Sequence, residues 1–315
     1  MPAQNLLNKA DTYSLRGICM IMIITGHIYL SAIAPGGCGI RPTALNLLSF
    51  GNWGYWGTGI FFFLSGFGMF FSLQRHMPLK KDYLGKKLLK LIEPFLLMWA
   101  VNIVVFILFD PSQLTLHLLK EFLTLGIHPD IDAWFFKVIL GLYLLIFFVF
   151  KMPLGNNLKV AIVFVCVIAY FIIMQRLHFG SWWTDSILNF PLGMLIALNF
   201  ERIKKWPPFA ILLPALAVFF GAHFFLPLRP IMGICFSLIA VSIIVYVPIN
   251  HKILDFIGIN SMFFYLLECP TMDYLAVFAN SDFITYTFVT LLITMVLTYA
   301  YLKLKANIVN RENTR

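Results

Sequence analysis

Charge is what this sequence has least of. Only 12% of its 315 residues are Asp, Glu, Lys or Arg, about half the share of a soluble domain this long. That excludes an ordinary water-soluble fold. Cysteine is scarce as well: Cys19, Cys166, Cys235 and Cys269 fall in apolar runs and Cys38 in a connecting loop. No Cys-x-x-Cys occurs, so neither a zinc site nor a disulfide framework is supported, and no metal is expected. No stretch alternates apolar and polar residues as a membrane barrel would. A Gly-x-Ser-x-Gly elbow is missing, and spacing assembles no catalytic triad. Tandem repeats, low-complexity tracts and interleaved basic and aromatic residues suited to nucleic acid are also lacking.

What the chain does have is hydrophobic length. Sixty per cent of its residues are hydrophobic, the mean hydropathy is +0.86, and many runs approach the ~20 residues a spanning helix needs. Ten segments qualify: 14–33, 53–74, 88–109, 133–150, 158–175, 183–199, 208–226, 230–248, 256–279 and 283–303. Pro214, Pro227 and Pro230 interrupt the seventh and eighth, which membrane helices tolerate. The expected fold is an all-α integral membrane protein, a bundle of about ten transmembrane helices, with residues 1–315 as one domain. The 33 phenylalanines read as lipid-facing composition. A basic start, an apolar run and Ala32-Ile33-Ala34 mimic a secretory signal, but Arg16 and His27 interrupt the run, so it is read as a retained span.

The net charge of +9 is unevenly spread. Ten spans put Lys9, Arg75, Lys80, Lys81, Lys86, Lys87, Lys90, Lys151, Lys159, Arg202, Lys204, Lys205, Lys252, Lys303, Lys305, Arg311 and Arg315 on one side. The other side holds Arg41, Lys120, Arg176 and Arg229. The positive-inside rule then places both termini in the cytoplasm. Trp53, Tyr55 and Trp56 read as an interfacial aromatic belt. Outer loops are expected over 34–52 and 110–132.

Arg16 and His27 lie within the first span, where ionisable groups are costly and mark function. Eleven residues make about three turns, so both side chains share one face roughly 16 Å apart. That arrangement suits a long ligand gripped at its polar end with its reactive end at the histidine. His27 is a candidate general base in its neutral form; bonding to a neighbouring helix is the alternative. Arg75, Lys86, Lys87 and Lys90 share the cytoplasmic side with Arg16 and could hold phosphate, or serve only topology and anionic lipid.

Ser65 sits in Gly57-Thr58-Gly59-Ile60-Phe61-Phe62-Phe63-Leu64-Ser65-Gly66-Phe67-Gly68, whose small residues suit close helix packing; a packing or ligand-contact role is preferred to a nucleophile. Glu268 lies at the depth of His27, where a carboxylate could fix the imidazole tautomer. Lys137, near Trp134 at the outer end of the fourth span, snorkels or contacts an acceptor or a developing oxyanion. Asp130, Asp132 and Asp185 are expected near the outer surface, read mainly as solvated loop charge.

Several of these segments together resemble a known family. Arg16, ten intervening residues and His27 are followed by Gly59-Ile60-Phe61-Phe62-Phe63-Leu64-Ser65-Gly66-Phe67. Then come Lys86-Lys87-Leu88-Leu89-Lys90-Leu91-Ile92-Glu93-Pro94, Trp134 with Gly141-Leu142-Tyr143-Leu144, and Ile259-Asn260-Ser261-Met262-Phe263-Phe264-Tyr265-Leu266-Leu267. In this order they resemble bacterial membrane acyltransferase family 3. The resemblance implies transfer of an acyl group, usually acetyl from cytoplasmic acetyl-CoA, to a glycan hydroxyl at the outer face of the cell membrane. It also implies central roles for Arg16 and His27. Trp134, Tyr143 and Tyr265 join Lys137 as candidate substrate contacts. Two departures stand out: lysines replace arginines near the third span, losing the bidentate fork, and Glu268-Cys269-Pro270 stands where many members carry a histidine. The expected partners are acyl-CoA, an extracytoplasmic glycan and membrane lipid. A transporter or exporter of polysaccharide or lipid-linked sugar is the alternative, since buried charges also mark transport paths.

Overall fold

A computed structural model describes residues 9–33, 53–80, 82–109, 111–113, 115–116, 134–207, 209–225, 228–276 and 283–313. Cys38, Arg41, Lys81, Lys120, Asp130 and Asp132 lie outside these residues, as do most of the two expected outer loops. Among the described residues the structure is helical, with no strand. In chain order the helices are α1 (Lys9–Ile33), α2 (Trp53–Arg75), α3 (Tyr83–Phe109), α4 (Trp134–Lys151), α5 (Asn156–Arg176), α6 (Asn189–Leu198), α7 (Phe200–Ile203), α8 (Phe209–Phe225), α9 (Arg229–Tyr246), α10 (Lys252–Ile259), α11 (Ser261–Ala276) and α12 (Phe283–Asn313). Each expected span coincides with a helix or part of one. Among the described residues, five helices are long and apolar enough to cross a membrane. They lie within α1, α2, α4, α5 and α12.

Two segments differ from the expectation. The sixth is a helix of only 10 residues, α6, entered through a 3-10 turn at Ser181–Trp183. The ninth is broken into α10 and α11 at Asn260. Asn260 donates its side-chain amide to the Phe256 carbonyl at 2.9 Å, and its own carbonyl accepts from Phe263 N at 2.9 Å. One residue thus closes a helix and opens the next, a local competition typical of asparagine. Pro94 and Pro214 sit inside α3 and α8 without ending them.

The bundle is organised around α1 and α2. Helix α1 packs against α2, α10, α11 and α12, and α2 packs against α6 and α9. Glycine permits the two closest approaches. A Cβ at Gly258 would lie 1.9 Å from the Tyr13 carbonyl oxygen, and one at Gly66 would lie 2.0 Å from that of Phe190. Beside the first crossing, Ser14 donates to Asp255 at 2.5 Å and accepts from His251 N at 3.2 Å. The register of α1 against α10 is therefore fixed by contact and by hydrogen bonds.

Phenylalanine serves the interior as well as the lipid face. Phe62, Phe63, Phe95, Phe136, Phe150, Phe190 and Phe264 are fully buried, while Phe148, Phe220 and Phe288 are exposed. Phe95 stacks on Phe136 with centroids 4.7 Å apart. Trp56 stacks on Phe236 at 4.8 Å and meets Phe219 edge-on. It therefore joins α2 to α8 and α9.

Candidate active site

Five helix walls enclose a cavity of about 170 Å³. Helix α1 supplies Arg16, Met20 and Ile23; α2 supplies Phe61 and Ser65; α4 supplies Phe135, Ile139 and Tyr143; and Leu91 comes from α3. The broken α10–α11 segment supplies Ile259, Ser261, Met262 and Tyr265. Four sequence candidates distant in the chain, Arg16, Ser65, Tyr143 and Tyr265, thus line one space. Ser65 lies beside the Tyr143 hydroxyl. Phe135 was not singled out by the sequence, because an apolar wall residue has no spacing signature, and Phe61 and Met262 stood in the resembling segments without a role.

The cavity is polar at one end. Arg16 Nε is sealed from solvent and has no hydrogen-bond partner among the described residues. The cavity is also lined by Ser261 and Met262, the first two residues of α11 after the helix break. The leading amides of a helix have no intrahelical acceptor and carry a partial positive charge. A guanidinium and a helix N-terminus together make a seat for an anion or a strongly polarised carbonyl. The remaining walls are apolar and aromatic except at Ser65 and the two tyrosines, Tyr143 and Tyr265.

His27 lies one turn of α1 beyond Ile23 and is tied to the cavity through Tyr265, whose ring centroid is 6.5 Å from that of the imidazole. His27 Nδ1 and Glu268 Oε1 are 2.7 Å apart, across 241 residues of sequence. The Glu268 side chain is 0% exposed and that of His27 26%. This is the separation of a charge-assisted hydrogen bond. With Nδ1–H donating to the carboxylate, the neutral ring carries its lone pair on Nε2, the tautomer a base uses. The equal depth read from the sequence is met here as direct contact.

The remaining candidates lie around the site. Lys87 Nζ sits 5.6 Å from the Tyr83 ring centroid, one turn before Leu91. Lys86 pairs with Asp82 at 2.6 Å, and that hydrogen bond holds the Asp82 carboxyl below the usual carboxylate range. Arg75 and Lys90 are exposed and line no part of the cavity. Lys159, counted with the basic loop charges, is buried instead and donates to the Phe150 carbonyl at 3.0 Å. Glu93, from the resembling segment before Pro94, accepts from Tyr301 at 2.9 Å and pairs with Lys305; it joins α3 to α12.

At the opposite end, Trp134 contacts Phe135 and Trp183, and Lys137 Nζ lies 5.8 Å from the Trp183 ring centroid. Trp183 was not anticipated. Asp185 corrects an expectation: it is 5% exposed and 3.5 Å from Arg229, so it is a buried partner, not a solvated loop charge. Arg229 lies 44 residues away in sequence, which is why the pairing was invisible there.

A family model described as an acyltransferase domain matches residues 14–303. The chain belongs to the acyltransferase 3 family. No curated protein and no solved structure matches it. The match takes in every residue of the cavity and the His27–Glu268 pair. This is a multi-pass membrane acyltransferase, and the arrangement just described brings Arg16, Ser65, Tyr143 and Tyr265 to one cavity beside the His27–Glu268 pair.

Proposed function

We propose that this acyltransferase moves an acyl group, acetyl by the family resemblance, from cytoplasmic acyl-CoA to a hydroxyl of a cell-surface glycan or its lipid-linked precursor. The observation that carries the reading is the His27–Glu268 contact of 2.7 Å, beside a cavity whose far end holds Arg16. The protein sits in the cell membrane as a bundle of about ten spans, with both termini in the cytoplasm. That sidedness follows from the basic loops and puts Arg16 toward the donor and His27 toward the acceptor.

A cavity of about 170 Å³ resembles one that admits a benzene-sized group. It therefore takes a segment of the donor and not the whole coenzyme. The pantetheine arm lies between the apolar walls, with a carbonyl or phosphate oxygen against Arg16 and the α11 amides. The nucleotide stays at the cytoplasmic surface near Lys87, with Arg75, Lys86 and Lys90 adding positive potential. On the other side, Trp134, Lys137 and Tyr265 guide the acceptor.

His27 Nε2 removes the hydroxyl proton as the acceptor oxygen attacks the thioester carbon. The C–S bond breaks, the ester C–O bond forms, and the imidazolium returns its proton to the departing thiolate. Glu268 holds the ring by Nδ1–H and stabilises the positive charge that forms on it. Tyr143 and Ser65 line the donor channel.

Acyl transfer from labelled acetyl-CoA tests this, in membranes carrying the protein and offered the host's glycan fraction, with His27→Ala at matched levels. Label on glycan with wild type only is expected. Equal labelling by both removes His27 as the base. No labelling, with sugar export still dependent on the protein, favours the transporter.

A further inference from the structure

We infer that Phe61, Phe135 and Tyr265 form an end wall that limits the transferred group to a short acyl chain. The inference rests on the acyl-CoA reading above and goes further, by naming the residues that set the size of the transferred group. The three rings come from α2, α4 and α11. Their exposures are 8%, 7% and 7%. Phe135 stands in the middle, 6.2 Å from Phe61 and 5.5 Å from Tyr265, centroid to centroid. Both pairs meet edge to face, in the preferred contact range of aromatic rings, so the faces of the wall are in contact. Behind it, Phe62 is fully buried and 4.8 Å from Phe135, which backs the middle ring on that side.

The position of the wall matters as much as its density. Arg16 and Ile23 mark the two ends of the cavity on α1, seven residues or roughly 10 Å apart at 1.5 Å per residue. His27 lies one turn further. A donor arm entering past Arg16 therefore brings its thioester to the level of the wall, next to Tyr265 and within a turn of the base. Carbons beyond the thioester carbonyl arrive where three helices have already filled the space. An acetyl methyl fits beside the rings; a longer alkyl chain must displace one. Packed interiors resist this, and a methylene that does not fit a pocket costs roughly 10- to 200-fold in kcat/KM.

The test is a donor series of two-, four- and six-carbon acyl-CoA thioesters, read as kcat/KM ratios so that absolute activity cancels. Wild type is expected to favour the two-carbon donor over the four-carbon donor by at least ~10-fold. Phe135→Ala deletes one benzene ring and is expected to raise the four- to two-carbon ratio at least ~10-fold, while the lipid-facing control Phe148→Ala leaves it unchanged. If Phe135→Ala does not accumulate, Phe61→Leu opens the same wall less severely and is expected to shift the ratio in the same direction. Equal use of all three donors by wild type overturns the inference. So does a Phe135→Ala ratio within about twofold of wild type. In both cases the acyl-CoA reading survives. Failure of wild type to transfer any acyl group from the series overturns that reading and this one with it.

Discussion

Replacing Glu268 by glutamine isolates the charge of the His27–Glu268 pair with little change in shape. The pair is 2.7 Å apart, and the glutamate side chain is 0% exposed, so water cannot substitute for it. A hydrogen bond to a charged partner contributes about 1.5–3 kcal/mol, against about 0.5–1.5 for a neutral one. The difference, about 1–1.5 kcal/mol, is roughly 5- to 13-fold in rate if it is expressed as the imidazolium forms. A second effect adds to it. The carboxamide can turn its NH₂ toward Nδ1, which moves the ring proton to Nε2 and removes the base. That orientation forfeits the whole general-base contribution, roughly 10²- to 10⁴-fold. The expected result is a fall in kcat of at least ~10-fold, with KM for acetyl-CoA near wild type because the donor channel is untouched. The assay is saturation kinetics in membranes with matched protein levels. His27→Ala combined with Glu268→Gln should be no slower than His27→Ala alone, since the glutamate acts through the ring. Glu268→Gln retaining more than half the wild-type kcat would refute the argument.

Other changes follow from the same structure. Arg16→Met removes the cationic end of the cavity and should raise KM for acetyl-CoA by roughly 10-fold or more, the value of one charged hydrogen bond, measured by donor titration. Gly258→Ala drives a Cβ to 1.9 Å from the Tyr13 carbonyl oxygen and should destabilise by about 1–3 kcal/mol. Gly68→Ala, with nothing within 4 Å of the added carbon, should be neutral or stabilising by about 0.5–1 kcal/mol; thermal melts of the solubilised protein compare the two. Arg229→Met leaves the buried Asp185 carboxylate without its cation and should lower the melting temperature, with partial recovery in the Arg229→Met/Asp185→Asn double variant. Epitope tags at the two termini should be reachable only from the cytoplasmic face.

Helix placement was legible in the sequence because it depends on a summed property. A run of some 20 apolar residues survives errors of several residues at either end, and every expected span overlaps a described helix, five of them long and apolar enough to cross a membrane. The break at Asn260 was not legible, because a single polar residue barely alters the hydropathy of a long run, while one side-chain bond to the Phe256 carbonyl suffices to end a helix. The Arg16–His27 face was readable from helical period alone. Glu268 could be placed at its level by counting depth along the ninth segment, although that segment is broken at Asn260. Asp185 was misjudged because it was assigned to solvent by height, and height says nothing about which neighbour stands alongside. Arg229 is that neighbour. Ser65, Tyr143 and Tyr265 gained their common location only from the fold, as did Phe61 and Phe135.

The interruption between α10 and α11 has a consequence for how this protein tolerates substitution. An anion seat made from leading helix amides is written in the backbone, and no side-chain replacement except proline deletes an amide. Scanning mutagenesis across Ser261 and Met262 would therefore record little effect, even if the turn carries much of the donor's polar contact. Sensitivity should appear one residue earlier, at Asn260, where loss of the capping amide would let the two helices fuse and bury those donors in a continuous ladder. A chain so poor in charge can in this way recognise a charged ligand through its main chain, at the one residue of the segment where continuity fails.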